Sequence, residues 1–330
     1  MKQLWAVVLA AGEGKRMHSD IPKVLHPLCG RPMLEYMLNS AAELTAQVVI
    51  VVGHGASRVR EKIGESRIYA LQEQQLGTGH AVMQAFSQLP DEGALLVLCG
   101  DTPLLTAEHF KALAAKCEQG AAAVATVKLD DPTGYGRIIR GDHGFVERIV
   151  EEKDATAEEK FITEINTGTY CFDLKLLRHC LPLLKNKNAQ QEYYLTDVIS
   201  MFRNSGHPVE AVELSDYRYG LGINNRAQLA EASELMRERI NHELMLSGVT
   251  IEDPGTTYID HGVSVGRDSI LRPWTYIEKE TCIGSGCIIG PGAHIKGVNI
   301  GDNVIIEHSY LEGGKIEPGS KIGPYEVIRS

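Results

Sequence analysis

Arg16 and Lys23 stand in the stretch LAAGEGKRMHSDIPKVLHPL, Leu9 to Leu28, close enough for their cationic ends to converge. Gly12 and Gly14 open this stretch into a loop whose backbone N–H groups can come near a ligand. A glycine loop followed by two cations is an anion-binding device, and phosphates are the anions it suits best. A plain turn with solvated charges would use the same residue types. Spacing excludes the two commoner phosphate loops. A dinucleotide loop needs G-x-G-x-x-G, but its third position is Met17, and no G-x-x-x-x-G-K-[ST] occurs. The acidic ribose ligand of a dinucleotide site is also missing, because Val48 to Val52 runs into Gly53 and His54.

The elements around the loop place it at a strand end. Trp5 to Leu9 is a short apolar run of the kind buried in parallel sheets, and the strand is expected over Leu4 to Leu9. Helical patterns follow at Met33 to Leu44, Thr78 to Leu89 and Glu108 to Lys116. Strand patterns lie between them at Gln47 to Val52, Ala94 to Cys99 and Ala121 to Lys128. This alternation predicts an α/β layer with a mostly parallel sheet, whose ligands sit at the carboxyl ends of strands. Leu9–Lys23 and the pair Gly100–Asp101 both occupy such ends, so cations and a carboxylate share one rim.

Composition narrows the partners. With 330 residues, 43% hydrophobic and 23% charged, the chain is that of a soluble globular protein of about two domains. A net charge of −10 argues against nucleic acid or an anionic membrane as the main partner, while the local cluster Lys15, Arg16 and Lys23 still suits phosphate. The seven cysteines are scattered with no C-x-x-C pair, which fits a reducing cytoplasm better than a disulfide framework or a zinc site. No apolar stretch approaches membrane-spanning length, and the N-terminal strand lacks a signal-peptide cleavage pattern. A cytoplasmic location is expected.

Further on, Asn225 with Gln228 forms a capping box for a helix carrying Leu229, Met236, Ile240 and Leu244 on one face and ending near Gly248. One apolar face suits a connector lying against the first domain. From Ile259 the pattern changes. Ile259, Val265, Leu271, Ile277, Ile283, Ile289 and Ile295 fall six apart, and the series resumes at Ile300 and Ile306, then at Ile316, Ile322 and Ile328. Gly, Asp or Glu often follows, as in IGSGC, IGPGA, IGDNV and IEPGS. A six-residue apolar beat is the mark of a hexapeptide solenoid, in which each hexapeptide makes one side of a triangular coil and the repeated Ile stacks into a core. About four coils are expected. The series runs to within two residues of Ser330 without a polar cap, so another subunit, a loop or further chain is expected to cover that end. The expected organisation is a domain over 1–225, a linker helix over 226–250 and a short β-helix over 251–330.

Eight blocks in order, LAAGEGKRM, PKVLH, QLGTGHA, GDTPLL, DDPTGYGRI, EINTG, EYYLTD and GINNR, followed by the solenoid, make the chain resemble the bacterial N-acetylglucosamine-1-phosphate uridyltransferases, the amino-terminal activity of a bifunctional enzyme. The resemblance spans the whole length. It implies a Rossmann-like mixed-sheet nucleotidyltransferase domain followed by a left-handed parallel β-helix. It also implies the conversion of UTP and N-acetylglucosamine 1-phosphate to UDP-N-acetylglucosamine and pyrophosphate with Mg²⁺, in cell-envelope amino-sugar nucleotide synthesis. Such a reaction asks mainly for positioning and charge neutralisation, and needs no Ser, Cys or His nucleophile.

Carried onto this sequence, the resemblance gives Arg16 and Lys23 the triphosphate and its developing charge. Asp101 and Asn224 become the Mg²⁺ contacts. Backbone from Leu9 through Ala10 and Ala11 to Gly12, with Gln72, Gly77 and Thr78, would hold the nucleotide, beside Cys99 and Gly100. Gly136, Glu151 and Asn166 would take the sugar. Other uses of these residues remain open at this stage. Asp101 could serve a turn, Glu151 a solvated face with Glu147, Glu152 and Lys153, Asn166 a turn, and Asn224 the cap of the following helix. His80 is expected to be a helix residue near the site rather than a catalyst.

Two positions depart from the family pattern. Lys15 stands where a small hydroxyl residue is usual, and Cys99 where Tyr often precedes Gly-Asp. The later coils that carry acetylation of glucosamine 1-phosphate in the bifunctional family do not appear before Ser330, so acetylation is not expected of this chain. Trimerisation through the β-helix is implied. The rival readings are a related enzyme acting on glucose 1-phosphate or another nucleotide, and a silent UDP-sugar-binding scaffold.

Overall fold

The computed structural model describes residues 3–330, which divide into two compact units. The first unit holds Pro32–Asn225 and the chain up to His26. Its elements are β1 (Leu4–Ala10), α1 (Met33–Ala42), β2 (Val48–Val52), α2 (Ala56–Ile63), β3 (Ile68–Leu71), α3 (Thr78–Ala85) and β4 (Ala94–Cys99). There follow α4 (Ala107–Gln119), β5 (Ala122–Lys128), β6 (Arg137–Arg140), β7 (Val146–Val150), β8 (Glu164–Asp173), α5 (Leu174–Cys180), α6 (Asp197–Asn204) and β9 (Val209–Glu213). The nine strands form one sheet in the order β9-β5-β8-β4-β1-β2-β3, with β6 pairing β8 and β7 pairing β6.

The strands of the β4-β1-β2-β3 half run parallel. Of these, β4, β1 and β2 are buried on both faces because their sequences are apolar throughout, not alternating, while the edge strand β3 stays largely exposed. Val7, Val49, Val51, Leu95 and Val97 pack on one side, and Ala6, Val8, Ile50, Val52, Leu96 and Leu98 on the other. The sheet is mixed because β8 inserts antiparallel between β4 and β5. From β1 the chain moves outward to β2 and β3, then returns to β4 on the other side. The crevice at the carboxyl ends of β1 and β4 is therefore the switch point at which such sheets bind ligands. The loop after Ala10 and the turn after Cys99 both open there.

The second unit is Arg226–Ser330 with Pro27–Arg31. The helix α7 (Arg226–Leu246) starts directly after Asn225. Its buried face is Ala232, Met236, Ile240 and Asn241, with Leu229 and Leu244 only half-buried. Asn241 is what shortens the apolar stripe. Its amide donates to the carbonyls of Pro254 and Thr257, both at 3.1 Å, so the helix is tied to the first coil by a polar anchor. The expected connector thus packs within the solenoid's own unit.

Fourteen strands of two or three residues follow, stacked into three parallel sheets of five, five and four, the arrangement of a left-handed parallel β-helix. Ile251, Leu271, Ile289, Ile306 and Ile322 make one vertical stack, and Val265, Ile283, Ile300 and Ile316 a second. The third runs Ile259, Ile277, Ile295, Leu311, Ile328. Leu311, five residues from each, fills the gap that the Ile series leaves between Ile306 and Ile316, so the stack continues although the spacing shortens. Coil corners take a left-handed backbone. Some are glycines, but Asp268, Trp274, Glu280, Asn303, His308 and Tyr325 also have φ between 44° and 69°. Each non-glycine corner costs about 1 kcal/mol, which the stacked core must offset. The final layer, Ile316, Ile322 and Ile328, is half-buried, whereas Ile300, Ile306 and Leu311 in the layer before it are buried.

Ile295 is fully buried between Ile277 and Leu311. Ile295→Ala should lower the unfolding free energy by about 2–5 kcal/mol, seen as a fall in the urea midpoint at unchanged slope. A loss below about 1 kcal/mol would mean that this stack is not the solenoid's core.

Candidate active site

Gly14 links the two halves of the glycine–cation loop. Its φ is +64°, and a Cβ placed on it would lie 2.7 Å from Cβ of Lys23, so only glycine lets the chain pass over that lysine. The loop does not run into a helix, as a dinucleotide loop would. It makes a single 3₁₀ turn, Lys15–Met17, and Met17 is buried and pins the turn to the core. No heavy atom lies within 4 Å of the Cβ that Gly12 lacks, so the backbone there is open to a ligand.

Lys23 carries the centre of the site. Its ammonium is ion-paired with the Asp101 carboxylate and donates to Asn224 Oδ1 at 3.0 Å. Asn224 is held in this orientation because its Nδ2 donates to the Gly222 carbonyl at 3.1 Å. Ile223 N donates to the Asp101 carbonyl at 2.9 Å, which fastens the GINNR segment to the β4 turn. Three groups from three remote segments therefore meet at the rim. They stand beside a pocket of about 250 Å³ walled by Leu9, Ala10, Ala11, Gly12, Gln72, Gly77, Thr78 and Cys99, with Lys23 and Asp101 on its edge.

Arg16 lies elsewhere on the loop. It is exposed on the 3₁₀ turn and is not part of the pocket wall. Lys15, expected to add charge to the phosphate loop, is paired with Glu13 at 2.6 Å on the surface.

The far wall is stitched together by the EYYLTD segment. Gly77 has φ +105°, and a Cβ on it would meet the carbonyl oxygen of Tyr193 at 2.7 Å. The neighbouring Gly79 N donates to that same oxygen at 2.8 Å. Gly77 is thus required by the chain as well as by any ligand. Thr78 Oγ1 accepts from Leu195 N at 3.1 Å, and Thr196 donates to Glu151 Oε1 at 3.0 Å.

Gly136, Glu151 and Asn166 form a second cluster. Asn166 N donates to the Gly136 carbonyl at 2.9 Å, and a Cβ on Gly136 would touch Glu151 Oε2 at 3.4 Å. The Asn166 amide donates to the Tyr170 hydroxyl at 2.6 Å and accepts from Gly168 N at 3.0 Å. Cys99 joins this cluster to the pocket, because its thiol donates to the Gly168 carbonyl at 3.3 Å. The side chain that replaces the family's tyrosine is therefore engaged with the second cluster. Gly100 lies between, its N donating to the Leu9 carbonyl at 2.9 Å.

Burial sets the charge states. It pushes the Cys99 thiol up to about 12, aided by the Asp101 charge, so this thiol stays protonated and is no nucleophile. Burial also raises the Glu151 carboxyl, against the Thr196 hydrogen bond, with Asp197, Asp154 and Glu192 adding repulsion. Tyr170 is pushed well up by burial and by Glu151. All seven cysteines are free thiols. Among the described residues no group of three or more His, Cys, Asp or Glu could hold a metal, and no helix is long and apolar enough to cross a membrane.

Comparison with known proteins decides the family. Residues 6–215 match the MobA-like NTP transferase domain. Over its full length the chain is 49% identical to the bifunctional protein GlmU of Geobacillus thermodenitrificans and 46% identical to that of Halalkalibacterium halodurans, covering 72% and 73% of those proteins. The chain belongs to the GlmU family. Its first unit is a nucleotidyltransferase domain. A solved Bacillus anthracis protein, assigned as a glucose-1-phosphate thymidylyltransferase, shares the fold with a TM-score of 0.57 at 20% identity, over 72% of this chain and 96% of that one. In this GlmU-family chain Val24, Gln75, Ala81 and Glu192 also line the pocket, and Tyr170 and Thr196 support the second cluster. The EYYLTD block contained two of these residues, but sequence gave no sign of which strand it would face.

Because the Glu151 carboxyl is raised in the folded state, folding takes up protons there, and its ionised form costs stability above the folded value. Glu151→Gln should therefore melt higher than the parent at mildly alkaline pH and converge with it at acid pH, where both side chains are neutral. A difference that grows on acidification would refute the assignment.

Proposed function

We propose that this chain transfers a uridylyl group from UTP to N-acetylglucosamine 1-phosphate, releasing pyrophosphate. The observation that carries the reading is the meeting of Lys23, Asp101 and Asn224 at the mouth of a pocket whose walls are the glycine loop, Gln72, Gly77 and Thr78. A phosphate oxygen of the sugar phosphate attacks the α-phosphorus in line. The new O–P bond forms as the bond to the β-phosphate breaks, and pyrophosphate leaves with the electron pair. A loose phosphoryl-type transition state asks the protein for alignment and for positive charge, and little else.

The chain's own residues supply those parts. The open backbone at Gly12 can donate to phosphate oxygens, and Lys23 brings a compact cation to the same rim. Arg16, on the solvent side of the loop, is the second charge, and its long side chain suits the departing pyrophosphate. Gln72 matches the uracil imide, and Gly136, Glu151 and Asn166 offer a carbonyl, a carboxylate and an amide to sugar hydroxyls and the acetamido group.

The donor set also suits magnesium. Asp101 and Asn224 turn one carboxylate and one amide oxygen, both hard ligands, onto a single cation, the Lys23 ammonium, which stands in for an ion. Bound there, Mg²⁺ would supply further neutralisation of the triphosphate charge. The reading includes a cytoplasmic location and assembly into a trimer through the β-helix. An outward ladder of Tyr258, Tyr276, His294 and Tyr310 with ring centroids 5.0–6.2 Å apart supports the latter.

Pyrophosphate release should be fast with UTP and N-acetylglucosamine 1-phosphate, slow with glucose 1-phosphate, and abolished by EDTA until magnesium is restored. Equal use of glucose 1-phosphate would move the sugar assignment, and no release from any pair would leave a binding scaffold. Arg16→Ala should lower turnover by about 100- to 1000-fold, the loss typical of one transition-state charge contact. A variant within about threefold of the parent would remove Arg16 from the mechanism.

A further inference from the structure

β8 is interrupted where it passes the second cluster. Asn166 pairs with Thr126 of β5 and Tyr170 with Val124, so four steps along β8 oppose two along β5. Two extra residues are therefore folded into the strand between them. Gly168 lies in the middle of this bulge with φ +78°, and its carbonyl accepts from the Cys99 thiol. In a regular strand residues four apart stand about 13 Å from each other, too far for their side chains to share a hydrogen bond. The bulge brings the two to about half that separation, and Asn166 Nδ2 reaches the Tyr170 hydroxyl at 2.6 Å. Re-aiming a side chain beside a site is a recognised use of such bulges.

The contacts leave the Asn166 amide one direction. Gly168 N can only donate, and it donates to Asn166 Oδ1 at 3.0 Å. The NH₂ end therefore faces Tyr170. A flipped amide would set Nδ2 against Gly168 N, donor against donor. The Tyr170 hydroxyl can rotate to give or take a hydrogen, so it does not choose the direction. Its part is to hold the other end of the amide in place. Tyr170 is the one acceptor that Nδ2 has among the described residues, which leaves the second Nδ2 hydrogen for a ligand. The ring is only 3% exposed and stacks on Phe172 with centroids 5.3 Å apart, so the hydroxyl is a fixed post.

We infer that Tyr170 is a positioning residue for the sugar: its hydroxyl, brought within reach by the β8 bulge, holds the Asn166 amide so that one N–H is left to donate to a sugar oxygen. The inference rests on the uridylyltransferase reading, with the second cluster as its sugar site. Tyr170 touches no substrate in this scheme. Its effect reaches the sugar through Asn166 alone. Without the hydroxyl, Nδ2 loses its protein partner and the amide is tethered by Oδ1 only. A donor that must be ordered again at each binding event costs affinity for the group it meets. The nucleotide is held by other residues, so UTP should not feel the change.

The test measures KM for N-acetylglucosamine 1-phosphate and for UTP in the parent, Tyr170→Phe, Asn166→Ala and the double variant. Phe keeps the ring and its stacking on Phe172, so Tyr170→Phe removes the hydroxyl and little else. The sugar-phosphate KM should rise about fivefold in Tyr170→Phe, the worth of one hydrogen bond, with KM for UTP within about twofold of the parent. Asn166→Ala should raise the sugar-phosphate KM at least as much. Adding Tyr170→Phe to it should then change that KM by less than about twofold, because residues acting through one contact are not additive. A sugar-phosphate KM within about twofold of the parent in Tyr170→Phe, beside a clear rise in Asn166→Ala, would overturn the inference. So would a parallel rise in KM for UTP, the mark of a merely structural role. A further rise of about fivefold from Asn166→Ala to the double variant would overturn it too, since Tyr170 would then act on its own. An Asn166→Ala enzyme with an unchanged sugar-phosphate KM would instead remove the second cluster as the sugar site, a failure of the underlying reading that shows without Tyr170 being touched.

Discussion

The Lys23 ammonium holds the site together. It joins Asp101, 78 positions away, to Asn224, 201 positions away, and both ion-paired side chains are less than one-fifth exposed. Charges drawn that far out of water are costly unless they are paired and hydrogen-bonded, so the contact is demanding as well as stabilising. Removing either oxygen would leave a cation with poor solvation at a sheet rim. Much of the surrounding architecture serves this meeting. Gly14 clears the space above Lys23, Met17 anchors the turn before it, and the backbone bond from Ile223 to Asp101 brings Asn224 into range. The parallel order of β1 and β4 sets the loop and the carboxylate side by side.

Sequence carried the frame of the first unit because burial on both faces leaves little freedom. Runs such as Val48 to Val52 and Ala94 to Cys99 have no polar side to turn to water, so their strands and carboxyl ends could be placed closely. It carried the solenoid for a different reason. A six-residue beat of Ile has no use in an ordinary alternating strand. What failed to show were features that depend on partners far along the chain. Leu311 continues the core, but the shortened spacing around it hid the repeat. Asn241 lies on the buried face of α7 because two carbonyls of the first coil satisfy it, and a hydrophobic pattern cannot anticipate that.

The site was legible to a similar degree. Ten of the residues named from sequence line one pocket, Leu9 through Gly12, Lys23, Gln72, Gly77, Thr78, Cys99 and Asp101. Gly136, Glu151 and Asn166 gather beside it, linked through Cys99 and Gly168. Which loop cation would reach the carboxylate was not legible, because a single 3₁₀ turn decides it. That turn points Lys15 and Arg16 to solvent, while Lys23 follows on the inner side. The work of Gly77 was only half visible. Its missing side chain also makes room for the backbone of Tyr193, a neighbour that spacing in the sequence does not announce.

The strip from Tyr193 to Thr196 touches both regions in turn. Tyr193 braces the turn before α3, Leu195 is fastened to Thr78, and Thr196 grips Glu151. Four consecutive residues therefore form a common spine for the two clusters. A molecule that stiffens one end of such a spine leaves less disorder to be lost at the other. Occupancy at either end would then change affinity at the other by the same factor, a reciprocity carried by four residues of backbone.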